Sequence, residues 1–182
     1  MKSTSKYIIP IKGLKEGVHK FEFMAEKTFF EEKNFVDINH GSYKIDIIMN
    51  KTGGLMILEF NISGFVNLMC DRCLEYFNLP TEFNGSLYIR YNDDPDYKTD
   101  TFKADDLMIL SPEKNEIDLS QYIYESIRLS IPYKRIHPEN EKGDSDCNEL
   151  MLSKLRELNN SDGEEDTDPR WDKLKSINLK TN

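Results

Sequence analysis

Among the residues able to do chemistry, the most distinctive are two cysteines with two residues between them, Cys70-Asp71-Arg72-Cys73, at the end of a predicted strand. A pair so spaced can bend around a zinc ion and present both thiolates, which is half of a tetrahedral site. The chain has no second CxxC, so the other half would have to come from Cys147 and one of His19, His40 or His137. A set of Cys70, Cys73, His137 and Cys147 is geometrically feasible, although the ten-residue interval from His137 to Cys147 is no standard ligand spacing. Two other readings stay open. The plainer one, which the sequence favours, is reduced thiols packed as small buried hydrophobes. Thioredoxin-like redox chemistry wants the first cysteine at the N-terminus of a helix in a βαβ unit, whereas the flanking pattern here has the period of antiparallel strands. No cofactor is therefore the default expectation, with zinc as the candidate.

Other catalytic constellations are missing. There is no glycine-rich phosphate loop, no HExxH and no GxSxG elbow. The histidines are isolated, and the abundant carboxylates mostly belong to one acidic segment, so no nucleophile or acid-base pair can be nominated. The sequence is not read as that of an enzyme.

The elements that must position these residues are legible from periodicity. Ile8 to Phe23 reads as short strands and turns punctuated by Pro10, Gly13 and Gly17, and Ala25 to Lys33 as a short helix anchored by Phe29 and Phe30. From Ser42 the period becomes two: Tyr43, Ile45 and Ile47 alternate with Lys44 and Asp46, and Met56, Leu58, Phe60 and Ile62 with Glu59 and Asn61. The intervening Lys51-Thr52-Gly53-Gly54 makes this a hairpin. Gly64 predicts a bulge or sharp bend before Phe65 to Met69. A further strand pair is expected at Glu75 to Leu79 and Ser86 to Tyr91, separated by Pro80 and Gly85. Asp118 stands where an N-cap should, and Leu119, Tyr122, Ile123, Ser126 and Ile127 follow at helical spacing up to about Leu129, with Pro132 as the stop. A helix over Asn148 to Leu158 would carry Met151, Leu155 and Leu158 on one side, and Asp168-Pro169-Arg170-Trp171 opens a short terminal helix. The expected fold is α+β: a curved antiparallel β-sheet or partial barrel covered by one or two helices. The core domain spans residues 1–136, and residues 137–182 form an acidic arm with two short helices.

Charge is distributed unevenly. Of the formal charge of −9, residues 139–168, with 11 acidic and 3 basic side chains, hold −8, so the rest of the chain is almost neutral. Tight RNA binders usually show a dense basic run, because phosphate neutralisation with counterion release supplies much of their affinity. None is present, which disfavours direct RNA binding unless the fold gathers scattered lysines. An acidic arm complements a basic protein, although a charge run that only keeps the chain in solution is the blander reading. The N-terminal residues lack the apolar stretch of a signal peptide, and no run approaches the ~20 residues that cross a bilayer. A cytoplasmic protein with no membrane partner is expected.

Three blocks together resemble the YceD family of large ribosomal RNA subunit accumulation proteins. They are Cys70-Asp71-Arg72-Cys73-Leu74-Glu75, the stretch from Ile117-Asp118-Leu119 through Glu125-Ser126-Ile127-Arg128-Leu129-Ser130-Ile131-Pro132, and Asp168-Pro169-Arg170-Trp171-Asp172-Lys173-Leu174. Many members carry further cysteines after the proline, often a second CxxC; this chain keeps only Cys147 there. The resemblance implies a non-enzymatic role in ribosomal RNA accumulation or large-subunit assembly, with a ribosomal protein or large-subunit precursor particle as partner. Within its motifs, Arg72 suits a phosphate or a partner carboxylate, or simply stands in solvent. Asp168, Arg170 and Trp171 open a helix whose tryptophan either anchors an interface or docks on its own domain. The alternative function is a zinc-binding or thiol-dependent protein centred on Cys70 and Cys73.

Overall fold

The computed structural model describes residues 7–33, 37–92, 101–103, 106–139 and 145–161. In chain order the elements are β1 (Ile8–Pro10), β2 (Gly17–Ala25), α1 (Lys27–Glu32), β3 (Ile38–Thr52), β4 (Leu55–Met69), β5 (Tyr76–Tyr91), β6 (Thr101–Lys103), β7 (Leu107–Leu110), β8 (Glu116–Asp118), α2 (Ser120–Ser130) and α3 (Glu149–Ser161). The fold is α+β. Six strands form an open sheet in the order β2-β3-β4-β5-β7-β6, antiparallel except where β5 meets β7, and β1 pairs with β8 in a separate two-stranded ribbon.

The β3–β4 hairpin follows from the sequence pattern. Thr52 pairs with Leu55, and the turn between them puts Gly53 at φ +57°, a backbone region that side-chain-bearing residues rarely adopt. The register then sets Ile45 opposite Ile62, Ile47 opposite Phe60 and Met49 opposite Leu58, so that one face is wholly buried. Each such side chain removed from water contributes about 1.5–3 kcal/mol before the entropic cost of ordering it. The opposite face is exposed and mixed: Lys44, Glu59 and Asn61 stand there beside Ile48 and Leu55, and Asn61 donates to Asn84 across the β4–β5 pair at 2.8 Å.

Helices cover the apolar face. In α2, Tyr122, Ile123, Ser126 and Ile127 are buried, the spacing of one helical stripe, and the Tyr122 ring lies 4.6 Å from that of Phe60. The N-cap is Leu119, which makes no side-chain capping bond; Asp118, expected in that role, ends β8 one residue earlier, where its carboxylate accepts the Ser120 N–H at 2.8 Å. In α1, Phe29 and Phe30 are the buried anchors, and Phe30 meets Tyr43 at 6.2 Å. No helix among the described residues is long and apolar enough to cross a membrane.

Two local expectations are corrected. The segment around Pro80 and Gly85 is one uninterrupted strand, β5, paired with β4 from Tyr76 to Arg90. Proline is tolerated because, among the described residues, β5 has a second partner strand only at Tyr88–Tyr91, so none of them loses a ladder hydrogen bond at Pro80 on that side. Gly64 is neither bulged nor out of register: it pairs with Tyr43 on one side and Thr81 on the other, while the register shift in this pair of strands falls at Ile38/His40. Glycine is needed there for room, since a Cβ would lie 2.1 Å from the Ser42 carbonyl oxygen and 2.7 Å from the Tyr43 Cα.

Candidate functional site

The chain between β4 and β5 has to reverse within six residues, Cys70 to Glu75, and it does so in a tight turn. The Cys70 N–H donates to the Glu75 carbonyl at 2.9 Å, the Leu74 N–H donates to the Cys70 carbonyl at 3.0 Å, and Leu74 takes φ +63° to close the loop. A branched apolar residue in that region carries a backbone cost of about 1–3 kcal/mol, which persists only where the surroundings fix it. The turn folds both cysteines inward and points the Arg72 N–H at the Cys70 sulfur, 3.4 Å away.

Residues from the far end of the chain meet this turn. Asp71 and Arg135 clamp each other: the Asp71 N–H donates to the Arg135 carbonyl and the Arg135 N–H to the Asp71 carboxylate, both at 2.7 Å. Two residues on, His137 is buried with its ring stacked 4.4 Å from Phe77 of β5. The chain then comes back through the Glu139–Ser145 bridge, which delivers Cys147 to the same spot. Cys147 Sγ lies 3.8 Å from Cys70 Sγ and 3.5 Å from His137 Nδ1, and Cys73 Sγ lies 3.6 Å from His137 Nδ1. All four donor atoms fall within 4.8 Å of one another, and all four residues are buried.

The electrostatics differ among the thiols. Burial opposes a thiolate at Cys70, but backbone hydrogen bonds around Cys73, Arg72 and His137, together with the His137 ring, outweigh it and bring the group down to about 6. Burial pushes Cys147 upward, and its sulfur neighbours add to that push despite the Ser145 hydroxyl. The cysteines form no disulfide. Neither Cys70 nor Cys73 sits at a helix N-terminus, so the arrangement lacks the geometry of a thioredoxin-like pair. Three soft sulfurs and an imidazole are instead a donor set that can hold a divalent metal.

Of the residues nominated from sequence, Cys70, Cys73, His137 and Cys147 are thus brought together. The other histidines are elsewhere: His19 bonds the Lys15 carbonyl at 2.8 Å, and His40 meets the Phe65 ring edge-on. Arg72 points away from the sulfurs toward the Glu139 carboxylate at 3.8 Å, on the rim of a groove it shares with Glu149, Leu152, Leu155 and Arg156. Asp168, Arg170 and Trp171, with the terminal helix they would open, lie outside the described residues. Sequence reasoning missed the Asp71–Arg135 clamp and its extension, in which the Asp37 carboxylate accepts from Arg128 at 2.5 Å and from Arg135 at 2.6 Å. No spacing rule links these four positions, Asp37, Asp71, Arg128 and Arg135.

The acidic arm enters the structure at the same place. Asn148 caps α3, accepting the Leu150 N–H at 2.9 Å and the Met151 N–H at 3.3 Å, while its amide donates to Glu75 at 2.6 Å. Met151 and Leu152 pack on the core, whereas Leu150, Leu155 and Leu158 are exposed. The helix therefore docks through its first turn, and of the apolar side predicted over Met151, Leu155 and Leu158 only Met151 packs on the core.

Comparison with known proteins bears on what this assembly serves. No curated protein and no solved structure matches the chain. Residues 58–178 match the family described as large ribosomal RNA subunit accumulation protein YceD, a span that contains the CxxC turn, α2, the His137–Cys147 loop and α3. Because that match covers most of its length, the chain belongs to the YceD family of large ribosomal RNA subunit accumulation proteins.

Proposed function

We propose that the protein is a non-enzymatic factor in ribosomal RNA accumulation or large-subunit assembly, and that it works in the cytoplasm through contacts made by its acidic arm with a basic ribosomal protein or a precursor particle. The family description supplies the coarse role, accumulation of large-subunit ribosomal RNA, and names no reaction. The observation that carries the finer reading is α3. It is fixed to the core by Asn148, Met151 and Leu152, yet it presents Leu150, 75% exposed, and Leu155, 42% exposed, within a segment of 11 acidic and 3 basic residues. Leucines held outward on an ordered helix, which itself balances Glu149 and Glu157 against Lys154 and Arg156 within a segment that is acidic in sequence, suit a partner that offers an apolar groove with basic surroundings. Thiol-dependent catalysis is not part of this reading, since the cysteines are buried among one another.

The test is co-sedimentation of the tagged full-length chain with large-subunit precursors at low and high salt. The wild type is expected to travel with the precursors at low salt, and a Leu150→Lys/Leu155→Lys variant to stay at the top of the gradient with its fold intact. A variant that travels as the wild type does would remove the arm from the mechanism.

A second reading, direct contact with RNA, has one observation in its favour. Lys134 lines an open groove with the fully exposed Tyr133, beside Asp71 and the Asp37-paired Arg128 and Arg135, which places a basic side chain and an aromatic ring together. It predicts salt-sensitive retention of ribosomal RNA that falls on Tyr133→Ala/Lys134→Ala substitution; no salt-sensitive retention by the wild type would exclude it.

A further inference from the structure

We propose that Cys70, Cys73, His137 through Nδ1, and Cys147 form a closed tetrahedral Zn²⁺ site that staples the start of the acidic arm to the β4–β5 turn. The proposal is independent of the ribosomal reading. Its first support is distance. With Zn–S about 2.3 Å and Zn–N about 2.0–2.1 Å, a regular tetrahedron separates sulfurs by about 3.8 Å and sulfur from nitrogen by about 3.6 Å. The structure has 3.8 Å between Cys70 and Cys147 sulfurs, and 3.6 and 3.5 Å from His137 Nδ1 to the Cys73 and Cys147 sulfurs. A disulfide needs about 2.05 Å and is a different geometry. Chance packing of small hydrophobes does not require four donor atoms to face one another within 4.8 Å.

The second support is the surrounding frame. The Arg72 N–H aimed at the Cys70 sulfur is the kind of hydrogen bond that steadies a ligating thiolate. Leu74 bears a strained backbone to keep the turn closed, and Phe77 fixes the plane of the His137 ring. Such investment in orientation fits ligands held at set angles around a centre. Thiolates with imidazole favour zinc over magnesium or calcium, and four protein donors leave no coordination position for substrate, which makes the site structural. Binding forms three Zn–S bonds and one Zn–N bond and releases thiol protons to solvent, with no change of oxidation state.

The ligands also explain where the arm attaches. Cys70 and Cys73 belong to the sheet, whereas His137 and Cys147 bracket the loop that leads into α3, so the ion ties two segments more than sixty residues apart in sequence. Metal affinity in such a site is folding free energy for the segment it closes.

The experiment uses the purified full-length chain. Elemental analysis is expected to give one zinc per chain, and Co²⁺ added to the apo protein is expected to give the ligand-field and sulfur charge-transfer bands of a tetrahedral thiolate site. Cys147→Ser should weaken Co²⁺ binding by at least about 100-fold, and removal of zinc by chelator should open residues 138–161 to protease. Wild-type protein that carries no stoichiometric zinc and gives no tetrahedral cobalt spectrum overturns the proposal, as does metal binding that Cys147→Ser leaves unchanged. Should Cys147→Ser fail to fold, the wild-type stoichiometry and spectrum decide the matter alone.

Discussion

Replacing Gly64 by alanine tests the sheet on which every site described here is built. In a central strand with β3 on one side and β5 on the other, the added Cβ would lie 2.1 Å from the Ser42 carbonyl oxygen, 2.7 Å from the Tyr43 Cα and 2.9 Å from the Tyr43 ring. Two of those atoms are backbone in a ladder that cannot yield without breaking its own hydrogen bonds, so relief requires the β3–β4 register to spread locally. Overpacking of this kind costs about 3 kcal/mol. In a chain of this size that lowers the melting temperature by about 6–12 °C. With a urea m-value of about 2 kcal/mol/M, it moves the unfolding midpoint down by about 1.5 M. Far-UV circular dichroism during urea unfolding reads this directly, with Gly54→Ala as control, because nothing lies within 4 Å of a Cβ there. A Gly64→Ala midpoint within about 0.25 M of the wild type would refute the packing argument and restore the bulge that the sequence alone predicts.

The remaining predictions concern the supports of the site. Asp37 is held below the ordinary carboxylate range: burial opposes its charge, but the Arg128 and Arg135 guanidiniums outweigh burial. Its contribution is therefore fully present above the unfolded value of about 4 and is lost as pH falls through the lower folded value. Asp37→Asn should cost about 1–2 kcal/mol at neutral pH and flatten the acid limb of the stability profile, measured by urea unfolding from neutral to acidic pH; an unchanged limb would show that the triad contributes nothing. Ile123, wholly buried in α2, should cost about 2–5 kcal/mol when cut to alanine, and a loss below about 1 kcal/mol would mean that α2 does not cover the sheet as described. Leu150→Lys/Leu155→Lys should leave the unfolding midpoint within about 0.5 kcal/mol of the wild type, because both positions already face water; a larger loss would make the helix face part of the core.

How much of this was legible depended on whether a residue's role is local. Tyr43 to Ile62 could be read because period two and the Gly53-Gly54 turn are both short-range signals, and α2 because its buried stripe repeats within eleven residues. Pro80 misled because its effect depends on whether a strand lies beside it, which is a fact of topology. Gly64 misled similarly: the same residue serves a bulge or a close approach, and only the neighbouring strand distinguishes them. At the candidate site, Cys70 and Cys73 were visible as a pair, and His137 with Cys147 only as one feasible completion, because the loop between them follows no ligand spacing. Phe77, Asp71 and Arg135, which orient that cluster, carry no signal in their own segments. On α3 the apolar residues were found, but which of them face the core was set by the docking of Asn148 on Glu75 and could not be counted from the helix period.

The most direct test of the account is the ratio of large-subunit to small-subunit ribosomal RNA in cells that lack this protein, complemented with the wild type or with Leu150→Lys/Leu155→Lys at equal abundance. The account predicts a depressed ratio without the protein, restoration by the wild type, and no restoration by the variant. Full restoration by the variant would contradict a role exercised through the arm, and a normal ratio in the absence of the protein would contradict the proposed function itself.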